Sequence, residues 1–140
     1  MPGSVREIAS TLLFDTTGRF LFQQRDNIAG ITEPGKIGLF GGHKEDNETF
    51  LECISREVSE EISINLPLER FQPLTVYEGT DLEIGGPIRA EFFVARNISL
   101  AQIRITEGCL VVANAENVPR LGGRLTAYAR FALKAFGIDT

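Results

Sequence analysis

The sequence predicts an α+β domain in which a mixed β-sheet lies between helices. Three observations carry that expectation. Runs rich in Val, Ile, Phe and Thr flank both sides of one acidic amphipathic helix, which lies within Gly41 to Ile64. A second helical pattern closes the chain after Pro119. The length, 140 residues, suffices for a single core, so residues 1–140 read as one domain. Strands on both sides of a helix imply a shared sheet, and the helices must cover its faces.

The elements follow in order. Val5 to Asp15 reads as a strand, apolar toward its end at Leu12, Leu13 and Phe14. Asp15-Thr-Thr-Gly18 is a turn by residue type. Arg19 to Arg25 returns as the second strand of a hairpin. Phe20, Leu21 and Phe22 in a row predict that both faces of that strand are covered. Asp26 to Lys36 is a loop with a Pro34-Gly35 turn signal. Ile37 to Phe40 reads as one short strand leading into Gly41-Gly42.

After a polar turn comes the helix, with Asp46 or Asn47 as the expected cap and Glu48 and Glu52 in its first turns. At 100° per residue, Leu51, Ile54, Val58 and Ile62 share one arc. Beyond a connection containing Pro67, Phe71 to Thr80 and Ile88 to Arg96 read as strands joined by a Gly85-Gly86-Pro87 turn. Leu100 to Ile103 reads as a helical turn and Cys109 to Ala113 as another strand. From Pro119 a closing helix is expected. Leu125, Tyr128, Ala129, Ala132, Leu133 and Phe136 recur at helical spacing and predict core packing rather than a cofactor site.

Composition excludes several functions. Net charge is −5, and seven of the 19 acidic residues fall between Glu45 and Glu61. Such a chain is poorly suited to gripping long nucleic acid through phosphate neutralisation. No stretch approaches the roughly 18 apolar residues of a membrane helix. The N-terminal MPGSVREIAS lacks a secretory pattern, so the expectation is a cytoplasmic protein. Cys53 and Cys109 have no CxxC spacing, which argues against zinc or a redox pair. Both read as small buried or half-buried thiols.

The chemistry concentrates in the first helix. Glu57, Glu60 and Glu61 lie at i, i+3 and i+4, so they are neighbours on its surface. Like charges so placed destabilise a bare helix, and a hard divalent cation taking oxygen ligands offsets that cost.

The stretch resembles the signature of the Nudix hydrolases. Gly42, Glu48, Arg56, Glu57, Val58, Glu60, Glu61 and Ile64 stand at the family's spacing, and Ser63 replaces its second glycine. That glycine would suit a left-handed helix end. The likeness implies the Nudix α/β/α sandwich. It also implies a metal-dependent hydrolase of the diphosphate linkage in a nucleoside diphosphate derivative, such as a nucleoside triphosphate or a nucleotide sugar. The implied metal set is Gly42, through its carbonyl, with Glu48, Glu57, Glu60 and Glu61. Oxygen donors of this kind suit Mg2+ or Mn2+.

Arg56 orients the carboxylates, and the general base is open among Glu57, Glu60 and Glu107, the last preceding a Gly as in many relatives. Arg25, which ends a Gln-Arg strand as in the family, is the candidate for contacting a substrate phosphate or base. His43, the only histidine, is not required by the pattern. The implied partner is a small nucleotide, and a homodimer is compatible with the pattern. The rival reading on the same fold is a non-catalytic nucleotide-binding or regulatory module, which loss of a signature glutamate would favour; all are present. Base or sugar preference is not legible.

Overall fold

A computed structural model describes residues 4–140. The strands are β1 (Arg6–Asp15), β2 (Phe20–Gln24), β3 (Ile37–Gly38), β4 (Phe40–His43), β5 (Gln72–Thr80), β6 (Pro87–Ile98) and β7 (Cys109–Ala113). The helices are α1 (Phe50–Ile62) and α2 (Ala127–Phe136). All seven strands join one mixed sheet, with β3-β2-β1-β6-β5 in order, β4 on β1 and β7 on β2.

Strand β1 organises the sheet. One edge runs parallel to β6, from Arg6 opposite Ile88 onward. The other edge is shared. Ile8 to Thr11 pair antiparallel with β4, while Leu13 and Phe14 pair with β2. The residues expected to form one strand from Ile37 to Phe40 are therefore divided. Ile37 and Gly38 pair with β2, and Phe40 begins a new strand along β1.

Alternation along the strands sorts side chains to two cores. Ala9, Leu13, Leu21, Phe93 and Ala95 pack under α1 with its Cys53, Ile54, Val58 and Ile62. Leu12, Phe14, Phe20, Phe22, Ala90 and Phe92 pack under α2 with its Tyr128, Ala129, Ala132 and Leu133. The sheet is thus covered on both faces, as the unbroken Phe20-Leu21-Phe22 run requires. Leu51 is only half-buried, and Cys53 takes a fully buried place on α1.

Three expectations are corrected. The cap of α1 is Thr49, not Asp46 or Asn47. Its side chain accepts from Glu52 N while the Glu52 carboxylate accepts from Thr49 N, a reciprocal box that sets the helix start three and two residues beyond Asp46 and Asn47. Glu48 consequently precedes the helix instead of lying in its first turn. The closing helix starts at Ala127, capped by Thr126, not at Pro119. Residues Val118–Arg124 form 3₁₀ turns kinked at Gly122, where φ is 46° and ψ is −118°. Finally, Cys109 is exposed, because it lies outside both cores at the start of β7. No helix among the described residues is long and apolar enough to cross a membrane.

Candidate active site

Strand β4 and helix α1 face each other, and the acidic residues gather where they meet. Gly42 stands there for a steric reason. A Cβ at this position would run into the carboxylate of Glu57. The missing side chain lets that carboxylate lie against the β4 backbone. Cys53 approaches the Gly42 carbonyl from α1, with Sγ 3.7 Å from the oxygen.

Arg56 ties the acids together. Its Nε and Nη2 donate to the two oxygens of Glu48, at 3.0 and 2.7 Å. Its Nη1 donates to Glu57 at 3.2 Å and to Glu60 at 3.0 Å. Nη2 also reaches the carbonyl of His43 at 3.0 Å, which links α1 to the end of β4. The paired hydrogen bonds from Arg56 pull the Glu48 carboxyl from 4.5 down to about 2.

The other acids feel the opposite pressure. Burial raises the Glu57 carboxyl above its usual range, and the charges of Glu60 and Glu48 add to that against the opposing charge of Arg56. Glu61 is pushed up to about 8, chiefly by burial and then by Glu57, Glu107 and Glu60. It is steadied by one hydrogen bond, accepted from Gly41 N at 2.8 Å. Glu60 is the most open of the set, with 58% of its side chain exposed.

The segment carrying Glu107 is fastened to the end of α1. Arg104 N donates to Ile62 O at 2.9 Å, and Thr106 N donates to Glu61 O at 3.1 Å. Ser63 caps the helix in the left-handed conformation, φ 63° and ψ 32°, and its hydroxyl donates to Arg104 O at 3.0 Å. Gly108 allows the close pass that follows, since a Cβ there would strike the Gln24 carbonyl.

The residues fit a divalent ion by their chemistry. They are all oxygen donors, two of them raised by burial and by each other's charge, beside a glycine whose cradle a side chain would fill. Among the described residues no three acidic, histidine or cysteine side chains already form a ready ligand set. Arg56 holds Glu48, Glu57 and Glu60, and the Gly41 N–H holds Glu61.

The remaining candidates lie to one side. Arg25 extends from the end of β2, donates from Nη1 to Thr32 O at 2.7 Å and pairs from Nη2 with Glu83 at 3.0 Å. It lines two cavities. One, of about 190 Å³, also touches Glu107 and Gly108. The other, of about 180 Å³, runs along Gly41, Gly42 and His43 and includes Glu83. Glu83 was missed by sequence reasoning. In the Asp81–Pro87 turn the usual pattern is inverted, with Leu82 and Ile84 exposed and the acid between them turned inward. Only the apolar residues flanking a turn acid hint at it.

Comparison with known proteins bears on the fold. The family description "NUDIX domain" matches residues 5–107. No curated protein sequence matches the chain. A MutT NUDIX hydrolase from Burkholderia pseudomallei is 25% identical with a TM-score of 0.76, over 94% of this chain and 98% of that one. A MutT protein from Methanosarcina mazei Go1 is 24% identical with a TM-score of 0.72, over 97% and 95%. A bifunctional NMN adenylyltransferase/ADP ribose pyrophosphatase from Francisella tularensis, complexed with AMP and manganese, is similar in fold at 17% identity and TM-score 0.74. The match covers 96% of this chain and 41% of that protein.

Proposed function

This chain belongs to the Nudix family, and on that premise we propose that it hydrolyses the diphosphate linkage of a nucleoside diphosphate derivative. Nucleoside triphosphates and nucleotide sugars are the substrate classes in view. The observation that carries the reading is the Glu57 carboxylate lying against Gly42, with Glu61 bonded to Gly41 N and Arg56 joining Glu57 to Glu48 and Glu60.

Glu57, Glu60 and Glu61, with Glu48 and the Gly42 carbonyl, are the oxygen donors that would hold Mg2+ or Mn2+. Such an ion, when bound, supplies charge neutralisation at the diphosphate and acidifies water. The chain's own residues do the rest. Arg56 holds Glu57 and Glu60 in fixed directions. Glu57, Glu60 and Glu107 are the groups available to take the proton of the attacking water as its oxygen bonds to phosphorus and the anhydride oxygen leaves. Gly42 keeps the backbone low enough for Glu57 to lie against it. Residues 1–140 act as one domain in this reading, because both cores share the single sheet.

The test is a panel of nucleoside triphosphates, nucleotide sugars and dinucleotides with Mg2+ or Mn2+, with the products identified. Cleavage at an anhydride bond is expected. Tight binding without turnover across the panel would replace the enzyme with a nucleotide-binding module.

A further inference from the structure

Glu33 stands in a left-handed backbone conformation, φ 47°, near the end of the loop that joins β2 to β3. A residue with a side chain stays in that region only where its surroundings over-determine it. Its contacts do so here. Oε2 accepts from Ala127 N at 3.4 Å, at the first turn of α2. Oε1 pairs with Lys36 Nζ at 3.5 Å. The carboxyl also meets that of Glu83, from the turn between β5 and β6, and the two share a hydrogen bond.

Both carboxyls are largely buried, with 20% of the Glu33 side chain and 14% of the Glu83 side chain exposed. Two ionised carboxylates are acceptors only, so one of the pair carries the proton that lies between them. The Ala127 N–H at the positive end of α2, together with Lys36, keeps the negative charge on Glu33. The proton therefore belongs to Glu83. Burial pushes the Glu83 carboxyl up to about 7, and the hydrogen bond with Glu33 adds to that against the charge of Arg25. Burial opposes ionisation at Glu33 too, but hydrogen bonds from Glu83 and Ala127 N and the charges of Lys36 and Arg25 hold its carboxyl below the usual range.

Other charged groups face the pair from the neighbouring elements. Arg25, at the end of β2, reaches Glu83 with Nη2 at 3.0 Å and Thr32 O with Nη1 at 2.7 Å, so it spans the same loop and turn. Asp81, on the turn, is answered by Arg6 of β1 and by the Tyr128 hydroxyl of α2. His43 of β4 lines the same cavity as Glu83 and, as an imidazole, is the competing source of a pH response.

We propose that Glu33 and Glu83 form a proton-operated latch, in which one shared proton fastens the loop of residues 26–36 to the turn of residues 81–86 and to the start of α2. The proton comes from solvent and returns to it. Once it has left, the two charges repel, and the strained backbone at Glu33 favours release. Asp26 and Ile31 of the loop line the cavity that also touches Glu107, so release opens that side of the candidate site. The direction follows from linkage. The Glu83 value is raised above the ordinary 4.5, so the fastening is complete below that pH and is lost as pH rises through about 7.

Amide hydrogen exchange reads the latch on the full chain without metal or nucleotide, so its outcome is separate from that of the nucleotide panel. The reporters are Gly35 N, bonded to Asp26 O, and Lys36 N, bonded to Glu33 O. After correction for the intrinsic pH dependence of exchange, their protection is expected to fall about tenfold between about pH 5 and about pH 8. Glu83→Gln donates its amide to Glu33 at every pH and is expected to hold the change within about twofold. Glu33→Gln removes the charge on the other side of the pair and is expected to do the same. His43→Gln is expected to keep the full fall. A flat profile in the parent chain, a fall that survives either glutamate variant, or a fall that disappears with His43→Gln overturns the latch.

Discussion

Arg56 grips Glu48 with two hydrogen bonds from adjacent nitrogens, Nε at 3.0 Å and Nη2 at 2.7 Å. The fork shape of guanidinium makes that grip possible. Arg56→Lys keeps the charge and loses the fork. Turnover is expected to fall about 10- to 100-fold, the usual cost of disturbing groups that orient metal-binding carboxylates. Steady-state kinetics check this, and an unchanged rate would reduce Arg56 to a surface ion pair.

Glu60→Gln is expected to abolish Mg2+-dependent turnover while leaving the fold intact. The side chain is largely exposed, so stability should move by no more than about 0.5 kcal/mol. Turnover and thermal melting of the same sample separate the two effects. Near-normal rates would remove Glu60 from the mechanism.

Gly42→Ala places a methyl group against the Glu57 carboxylate. Either β4 or Glu57 has to shift. A displacement near 1 Å at reacting groups costs about 10²-fold in rate. The expected outcome is a loss of that order in kcat. A fully active variant would show that Glu57 works elsewhere.

Ser63→Gly is expected to stabilise the protein by less than ~1 kcal/mol. The gain comes from relieving φ 63° on a residue with a side chain. Against it stands the lost hydrogen bond to Arg104 O, which is solvent-exposed and worth little. Urea midpoints decide the sign, and a lower midpoint would mean that the hydrogen bond outweighs the backbone strain.

Asp15 sets a pH dependence of stability. Burial alone would raise its carboxyl, but hydrogen bonds from Arg19 N, the Thr17 hydroxyl and N, and Arg19 Nε pull it from 3.8 to about 2. The folded value is depressed, so the contribution is complete above pH 3.8 and is lost as pH falls through about 2. Its size is about 2 kcal/mol. Asp15→Asn should lower stability by that order at pH 7, and the gap to the parent should close between pH 4 and 2. Denaturant titrations across that range measure it, and a gap independent of pH would refute the linkage.

Much of the fold could be read from periodicity. The unbroken apolar runs Leu12-Leu13-Phe14 and Phe20-Leu21-Phe22 mark strands covered on both faces, and the Ile54, Val58, Ile62 arc marks the buried side of α1. The neighbouring arc of Glu57, Glu60 and Glu61 follows from the same 100° arithmetic. What was missed was partly local and partly a contact between distant segments. Thr49 wins the cap over Asp46 and Asn47 only because Glu52 answers it from one turn on. Gly122 breaks the expected closing helix through a backbone angle that residue type alone does not reveal. Glu83 turns inward because Arg25, from β2, waits for it there.

The side-by-side alignment of β1 with β6 has a consequence for how the chain is made. On its parallel edge, Arg6 through Leu13 find their partners in Ile88 through Ala95, so the strand emerges from the ribosome long before that neighbour exists. Distant pairings of this kind slow folding and leave a bare edge on the nascent polypeptide. During synthesis that edge carries Leu12 and Leu13, and this is where chaperone binding or aggregation would begin.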